Sequence, residues 1–335
     1  MRAEAKYLVS VCIPTYNRAP YLKKCLESLV YQPEFLKGDV EIVISDNCST
    51  DHTSEVVQSY KEKYSNIQYY RNKENIKDKN FPRCLMRGNG ILRKLSNDTL
   101  LFKKGSLELF CNAVREHKKI RPLLFFGNGN LKNIERKENV QTSTLNDFFY
   151  DVSFLSTWIG AFALWEDDCE DLIQSEEKYS TSLWQVWELC HLLQKGRPAV
   201  LYNEHIVDIQ YVSKKNVSYG VFQVFYHNYL GIIRSFADLG AITQECFDYL
   251  EKDLLFGFFM NAIIEWELNH NHYEYSVGEN LKEAVWDQYR AKPYFEKFSL
   301  EYSEQYSRAR VKRRIKNIPV LGILLVKLKH VMQGW

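Results

Sequence analysis

The chain lacks several features that would narrow its role quickly. Nowhere in its 335 residues is there an uninterrupted apolar run of about 18, so no membrane-spanning helix is predicted. No charge of one sign dominates: Lys and Arg number 44, Asp and Glu 42, and the net charge is +2. A dedicated nucleic-acid binder carries a basic surplus, so nucleic acid is not an expected partner. The eight cysteines, at 12, 25, 48, 84, 111, 169, 190 and 246, include no C-x-x-C pair of the kind that holds zinc or cycles a disulfide. Several fall in apolar runs, and they read as reduced thiols of a cytoplasmic protein. The opening MRAEAKYLVSV runs straight into a strand and lacks a signal-peptide apolar region. Internal repeats and low-complexity segments are also lacking.

What is present is an ordinary globular composition, 45% hydrophobic and 26% charged, long enough for a large core or for a domain with a helical annex. Tyr (22) and Phe (19) are abundant. Most read as core, with some available as platforms for the apolar faces of sugars. Apolar runs at 7–13, 40–45, 67–71 and 91–95 alternate with helical periodicity at 19–31, 50–63 and from Phe81 to a stop at Gly88-Asn-Gly90. In the first helix Leu22, Leu26, Leu29 and Val30 share one face. This alternation predicts βαβ units and a mainly parallel sheet flanked by helices. Leu100–His117 reads as loop and helix, 123–126 and 199–202 as strands, 128–143 as a polar loop and 181–195 as a helix. From about 217 the pattern is helical, with stretches at 221–237, 243–268 and 277–292. The expected division is 1–215 for an α/β domain, 216–307 for a helical region and 308–335 for a basic tail.

Two segments carry the chemistry. Val9–Arg18 (VSVCIPTYNR) is an apolar run that breaks at Pro14 into a polar turn and a helix. Glu41–Asp51 (EIVISDNCSTD) is a second run ending in Asp46 and Asn47. Parallel strands place such loops side by side at the carboxyl edge of the sheet, where open α/β sheets bind ligands. Thr15 and Tyr16 are suited to a base and ribose, Arg18 to a phosphate, and Asp46 to a base N–H. The structural alternative for Asp46 and Asn47 is a cap or Asx-turn before the next helix.

The order of these motifs resembles the nucleotide-sugar-binding half of inverting glycosyltransferases of the GT-A fold, glycosyltransferase family 2. It is most similar to the bacterial branch acting on O-antigen, capsule and related surface polysaccharides. The resemblance implies a nucleotide diphosphate sugar as donor, a UDP-sugar favoured, held by Thr15, Tyr16, Asn17, Arg18, Asp46, Asn47, Lys79 and Asp98. It implies a glycan or lipid-linked oligosaccharide acceptor at the inner membrane face. In the family a run of acidic residues binds a divalent metal. Here that run reads Leu95-Ser96-Asn97-Asp98-Thr99, its register set by Lys104-Gly105-Ser106-Leu107-Glu108. Asp98 is its one carboxylate, the expected ligand of Mg²⁺ or Mn²⁺, with Lys79, Lys94 or Arg93 as possible replacements for the metal's charge. On the acceptor side the resemblance points to Trp158, Gly160, Trp184 and Gln185. Gln185 stands where a family carboxylate acts as general base, and Glu188, one turn on, is the substitute.

The tail adds an independent signal. Arg308, Arg310, Lys312, Arg313, Arg314 and Lys316 precede IPVLGILLVKLKHVMQGW, which is too short to span a bilayer but suited to lying in its interface. The expectation is peripheral contact with the inner face of the cell membrane. The alternative is a helix docked on the protein. Two further functions compete with transfer. One is a catalytically weakened GT-A protein that binds glycan or organises an assembly complex, favoured by the neutral residues at 97, 99 and 185. The other is a nucleotidyltransferase, disfavoured because Pro14–Arg18 holds no glycine.

Overall fold

The computed structural model describes residues 5–135, 139–170, 172, 176–210, 220–268 and 279–316. Its strands are β1 (Tyr7–Thr15), β2 (Val40–Asp46), β3 (Ile67–Arg71), β4 (Gly90–Leu95), β5 (Leu100–Phe102), β6 (Leu123–Phe126), β7 (Asn139–Thr142), β8 (Ala163–Trp165), β9 (Ala199–Tyr202) and β10 (Val207–Ile209). The main sheet has the order β3-β2-β1-β4-β8. Its first four strands are parallel, as the alternation predicts, and β8 closes it antiparallel to β4. The chain steps outward from β1 to β3 and then returns to lay β4 on the opposite edge of β1. That reversal makes the carboxyl ends of β1 and β4 a topological switch point, the place where open α/β sheets bind ligands.

Burial explains why β1 and β2 read as continuous apolar runs. Both faces of a parallel sheet are covered, so alternation disappears. Val9, Val11 and Ile13 join Leu22, Leu26 and Leu29 of the helix Ala19–Val30 in one core, together with Phe110 and Val114 of the helix Ser106–His117. The helix Asn80–Met86 packs on β1, β2 and β4. At the amino edge the three central strands are tied by a buried polar knot. Ser10 Oγ donates to Glu41 Oε1 at 2.6 Å and accepts from the Gly90 amide at 2.7 Å. A Cβ on Gly90 would stand 2.5 Å from the Ser10 nitrogen. The glycines that end the preceding helix are therefore also needed for the close approach of β4 to β1.

Smaller sheets lie outside the main one. β10 pairs antiparallel with β5, so Leu100–His117 begins with a strand rather than a loop. β9 pairs parallel with β6 and antiparallel with β7. β7 corrects the expectation of a loop over 128–143. Its sequence, NVQT, is an edge strand with only Thr142 buried, and it carries no apolar pattern by which to be recognised.

The described residues form two compact units, one of 5–210 with 227–250, the other of 220–226 with 251–316. In the first, the helix Tyr229–Asp238 packs on the helix Trp184–Gln194, with Trp187 and Phe236 rings 5.8 Å apart. The second is helical. Its expected stretches contain π-helical turns at Gln223–Asn228 and Leu254–Phe259, and the last is the helix Leu281–Tyr289. Trp286 packs on Phe295, Phe298 and Tyr302 of the final helix, Phe295–Lys316. Buried Glu251 accepts from Lys292 Nζ at 2.5 Å and from the Tyr226 and Tyr294 hydroxyls. The eight cysteines are unbonded; Cys48 is half-buried and the others buried.

One side chain departs from every simple rule of burial. Lys94, on β4, is fully enclosed, with Nζ 5.7 Å from the ring centres of both Phe110 and Phe126. It donates to the Leu95 carbonyl at 2.8 Å and to the Gly160 carbonyl. Burial pushes its pKa down from 10.5 to about 7. Above pH 7 the unfolded chain then binds a proton that the folded chain does not, so stability should rise with pH. Lys94's own contribution should approach about 1 kcal/mol per pH unit between pH 7 and 8.5, against an opposing contribution from the buried thiols, which ionise near pH 8.5 in the unfolded chain. Urea unfolding across that window should show the stability of the parent relative to Lys94→Met rising with pH by about 1 kcal/mol per unit, the thiol contribution cancelling in the difference.

Candidate functional site

The carboxyl edge of the main sheet gathers the loops after β1, β2 and β3 and the segment after β4. Register places Thr15 beside Asp46 and Asp46 beside Arg71, so the three parallel strands finish level. The loops are then joined to one another. The Asn47 amide donates to the Thr15 carbonyl at 2.9 Å. Asn17 takes a left-handed conformation, φ 51°, which asparagine tolerates. Its amide donates to Ser49 Oγ at 2.9 Å, and its Oδ1 accepts from the Thr50 amide at 2.7 Å. Asp51 accepts from the Ala19 amide at 3.0 Å and the Thr53 amide at 3.1 Å. Those amides begin two helices, where a negative charge is favourable. Burial would raise the Asp51 pKa, but hydrogen bonds from Thr53 and Ala19 outweigh it and hold the group below its usual value.

Asp46 and Asn47 adopt the structural alternative. Asp46 is fully buried; Oδ1 accepts from the Ser49 amide at 2.9 Å and Oδ2 from the Tyr69 hydroxyl at 2.6 Å. Arg71 Nε lies 3.7 Å from the same oxygen, and Arg71 also donates to the Ser49 carbonyl at 2.9 Å. Asn47 Oδ1 accepts from the Ile76 amide and from Asn72, and Nδ2 donates to Asn75 at 2.7 Å. Asn47 thus shapes the 72–76 loop from within. Asn80 ties the end of that loop back to Ser45, and Arg87 donates to Ser45 Oγ and Asn72 Oδ1. Lys79 is half-buried in the turn Lys77–Lys79 that leads into this helix.

The centre of the site is a triad spanning β1 and β4. Asp98 Oδ2 accepts from Thr15 Oγ1 at 2.8 Å, and Oδ1 pairs with Arg18 Nη1 at 3.1 Å. The carboxylate is 2% exposed and the guanidinium 48%. Burial pushes the Asp98 pKa up, against the opposing pull of Arg18 and the Thr15 hydroxyl. Tyr16, 43% exposed, sits on the same turn.

This geometry does not fit the expected Mg²⁺ or Mn²⁺ position. Asp98 is the lone carboxylate of its run, and both its oxygens are engaged, one by a cation. Among the described residues no group of three His, Cys, Asp or Glu side chains is placed to hold a metal ion. Lys94 and Arg93 do not replace the metal's charge. Lys94 is sealed in the core, and Arg93 Nη1 donates to the Leu85 carbonyl.

The acceptor-side residues are less open than their pattern suggests. Trp158 is half-buried and lies flat enough on Gly160 that a Cβ there would come 2.6 Å from the indole. Trp184 is core, its ring edge-on to Phe162 at 5.7 Å, and it shows no face to an acceptor. Gln185 donates to the Thr157 carbonyl at 2.7 Å. Glu188 is 1% exposed, so it has no direct access to an acceptor hydroxyl. The residues missed by sequence reasoning are Tyr69, Arg71 and Arg87. Arg71 had a signal, since the last residue of a third parallel strand must finish at the same edge as Asp46.

Residues 10–86, from β1 through the helix Asn80–Met86, match the family described as Glycosyl transferase family 2. The chain carries a glycosyl transferase family 2 domain. Abequosyltransferase RfbV of Salmonella typhimurium is 45% identical over 85 residues, 25% of either chain. An uncharacterized glycosyltransferase of Mycoplasma genitalium is 47% identical over 66 residues, 20% of this chain and 22% of that one. These matches therefore span about a quarter of each relative's length. The fold similarity reaches further than the sequence match. Staphylococcus aureus TarS 1–349, solved with UDP-GlcNAc, superposes over 91% of both chains with a TM-score of 0.56 at 16% identity. The mannosyltransferase PcManGT of Pyrobaculum calidifontis, solved with GDP-Man and Mn²⁺, covers 92% of this chain and 88% of its own, with a TM-score of 0.51 at 15% identity. The family 2 domain thus has the GT-A fold.

Because Asp46 anchors the β2 turn from full burial, Asp46→Ala should not leave the fold untouched. It strands the Ser49 amide, the Tyr69 hydroxyl and the Arg71 charge, and should cost about 3 kcal/mol in urea unfolding. Asp46→Asn, which still accepts one hydrogen bond, should cost less than half of that.

Proposed function

We propose that the protein transfers a sugar from a nucleotide diphosphate sugar to a glycan acceptor during assembly of a bacterial surface polysaccharide. The observation that carries this reading is the Thr15–Asp98–Arg18 triad at the β1/β4 switch point, inside joined loops and beside a family 2 match. The backbone and side chains of Thr15, Tyr16 and Asn17 form the wall for base and ribose. Arg18 supplies the half-exposed cation for the diphosphate. Asp46 and Asn47 act by holding the loops that make the wall, and Lys79 adds charge at its far end. UDP-sugars are the first donors to test, GDP-sugars the second, since neighbours of the same fold were solved with UDP-GlcNAc and with GDP-Man. Inversion is proposed by way of direct displacement, with Trp158 and Gly160 on the acceptor side. No base role is assigned to Glu188.

Inversion and donor choice are tested together. A panel of nucleotide sugars with lipid-linked and free oligosaccharide acceptors should give transfer with one donor, and the anomeric configuration of the product should be opposite to that of the donor. Retention would overturn the displacement. A second reading, a GT-A protein that binds donor or glycan without turning it over, is favoured by one observation: the neutral Gln185 is locked to the Thr157 carbonyl where a base would stand. It predicts donor binding with neither transfer nor donor hydrolysis across the whole panel.

Peripheral membrane contact at the inner face of the cell membrane forms part of the proposal. The first half of the helix Phe295–Lys316 is packed through Phe298 and Tyr302, whereas Arg308, Arg310, Lys312, Arg313 and Arg314 are exposed. Residues 317–335, including Pro319 and the apolar positions 318, 321, 324, 325 and 328, lie outside the described residues. Each basic side chain near anionic lipid contributes about 1 kcal/mol. Truncation after Ser307 removes the exposed half and spares the packed one. It should abolish sedimentation with phosphatidylglycerol vesicles and leave the melting temperature within about 2 °C. A large drop in melting temperature with vesicle binding intact would show a docked tail instead.

A further inference from the structure

The geometry points to a donor site that holds a nucleoside diphosphate without a divalent cation, with the Arg18 guanidinium as the charge that meets the phosphates. The inference rests on the nucleotide-sugar reading above and narrows its chemistry. A diphosphate leaving group has to be neutralised, and a site that uses a metal for this is acidic when empty. Here the carboxylates buried at the strand ends are already matched by cations. The two, Asp98 and Asp46, each face a half-exposed guanidinium, from Arg18 and Arg71 respectively. The positions flanking Asp98 hold Asn97 and Thr99, which bring oxygen atoms but no charge.

The pairing also sets the orientation of Arg18. Only Nη1 bonds to Asp98, and the remaining N–H donors of a planar five-donor group are left for a ligand. Asp98 is itself held by Thr15, so the guanidinium is fixed by a buried anchor while about half of it stays exposed. Arginine suits this position because its fork matches two phosphate oxygens at once. A second guanidinium stands close by through a shared residue. Ser49 accepts from Asn17, next to Arg18, on its hydroxyl and from Arg71 on its carbonyl. A metal ion at Asp98 would have to displace Arg18 and bring its own charge against that guanidinium.

Calorimetric titration of the full chain with UDP, GDP, CDP and TDP, in EDTA, in Mg²⁺ and in Mn²⁺, tests the assignment. For the nucleotide that binds, affinity in EDTA should stay within about threefold of that in Mn²⁺. Arg18→Met should weaken it by about tenfold or more in every buffer, and Arg18→Lys should recover part of the loss, with unchanged circular dichroism in both. The double variant Asn97→Asp/Thr99→Asp should acquire tighter binding in Mn²⁺ than in EDTA. Parent affinity rising tenfold or more with Mn²⁺, or Arg18→Met binding like the parent, would overturn the assignment. Absence of binding heat for all four nucleotides in all three buffers would instead overturn the donor reading itself, and this inference with it.

Discussion

Everything at the candidate site depends on β1 being paired on both edges by strands running its own way. Three parallel strands end at one edge, so three loops must meet there. The Ser10–Glu41–Gly90 knot fixes the other end of the same strands, and with it the register that brings Thr15 level with Asp46. A slip of one residue in β4 would turn Asp98 away from Thr15 and carry Lys94 out of its pocket. The polar edge is thus positioned by apolar packing and by close backbone contact some distance away.

The legible part of the sequence was the part where burial is complete. β1, β2, the helix Ala19–Val30 and the strand-helix alternation to about residue 117 follow from apolar runs and one-sided periodicity. So does the meeting of the Pro14–Arg18 and Asp46–Asp51 loops. Legibility fails for physical reasons that differ by place. β7 is a polar edge strand with one buried residue, so no pattern marks it. The helix Trp184–Gln194 is apolar on nearly every side, and its sequence cannot say which face is open. Trp184 and Glu188 consequently turned out to lie inside. Asp46 looked like a ligand residue because a carboxylate at a strand end suits both a base and a turn, and only its neighbours Ser49 and Tyr69 decide between them. Arg18 was legible as a cation on the turn after β1, but its pairing with Asp98 across 80 positions was not.

The buried Lys94 shows how a polar group can connect two parts of one unit without an opposite charge. Its ammonium or amine bridges the end of β4 and the Gly160 carbonyl, while aromatic rings enclose its stem. Gly160 is also where Trp158 rests. The strand β4 and the turn at Gly160 thus share a hydrogen-bonding atom, and a change in either is felt by the other.

The two helix starts that share Asp51 have a consequence for how this edge fails in acid. Because the carboxyl is held below its ordinary pKa, its contribution is present at neutral pH and is lost only as the pH falls through the lowered folded value. When it is lost, the Ala19 and Thr53 amides, which bond to its two different oxygens, both lose the charge on their acceptor. A single protonation therefore weakens the loops after β1 and β2 in one event rather than loop by loop.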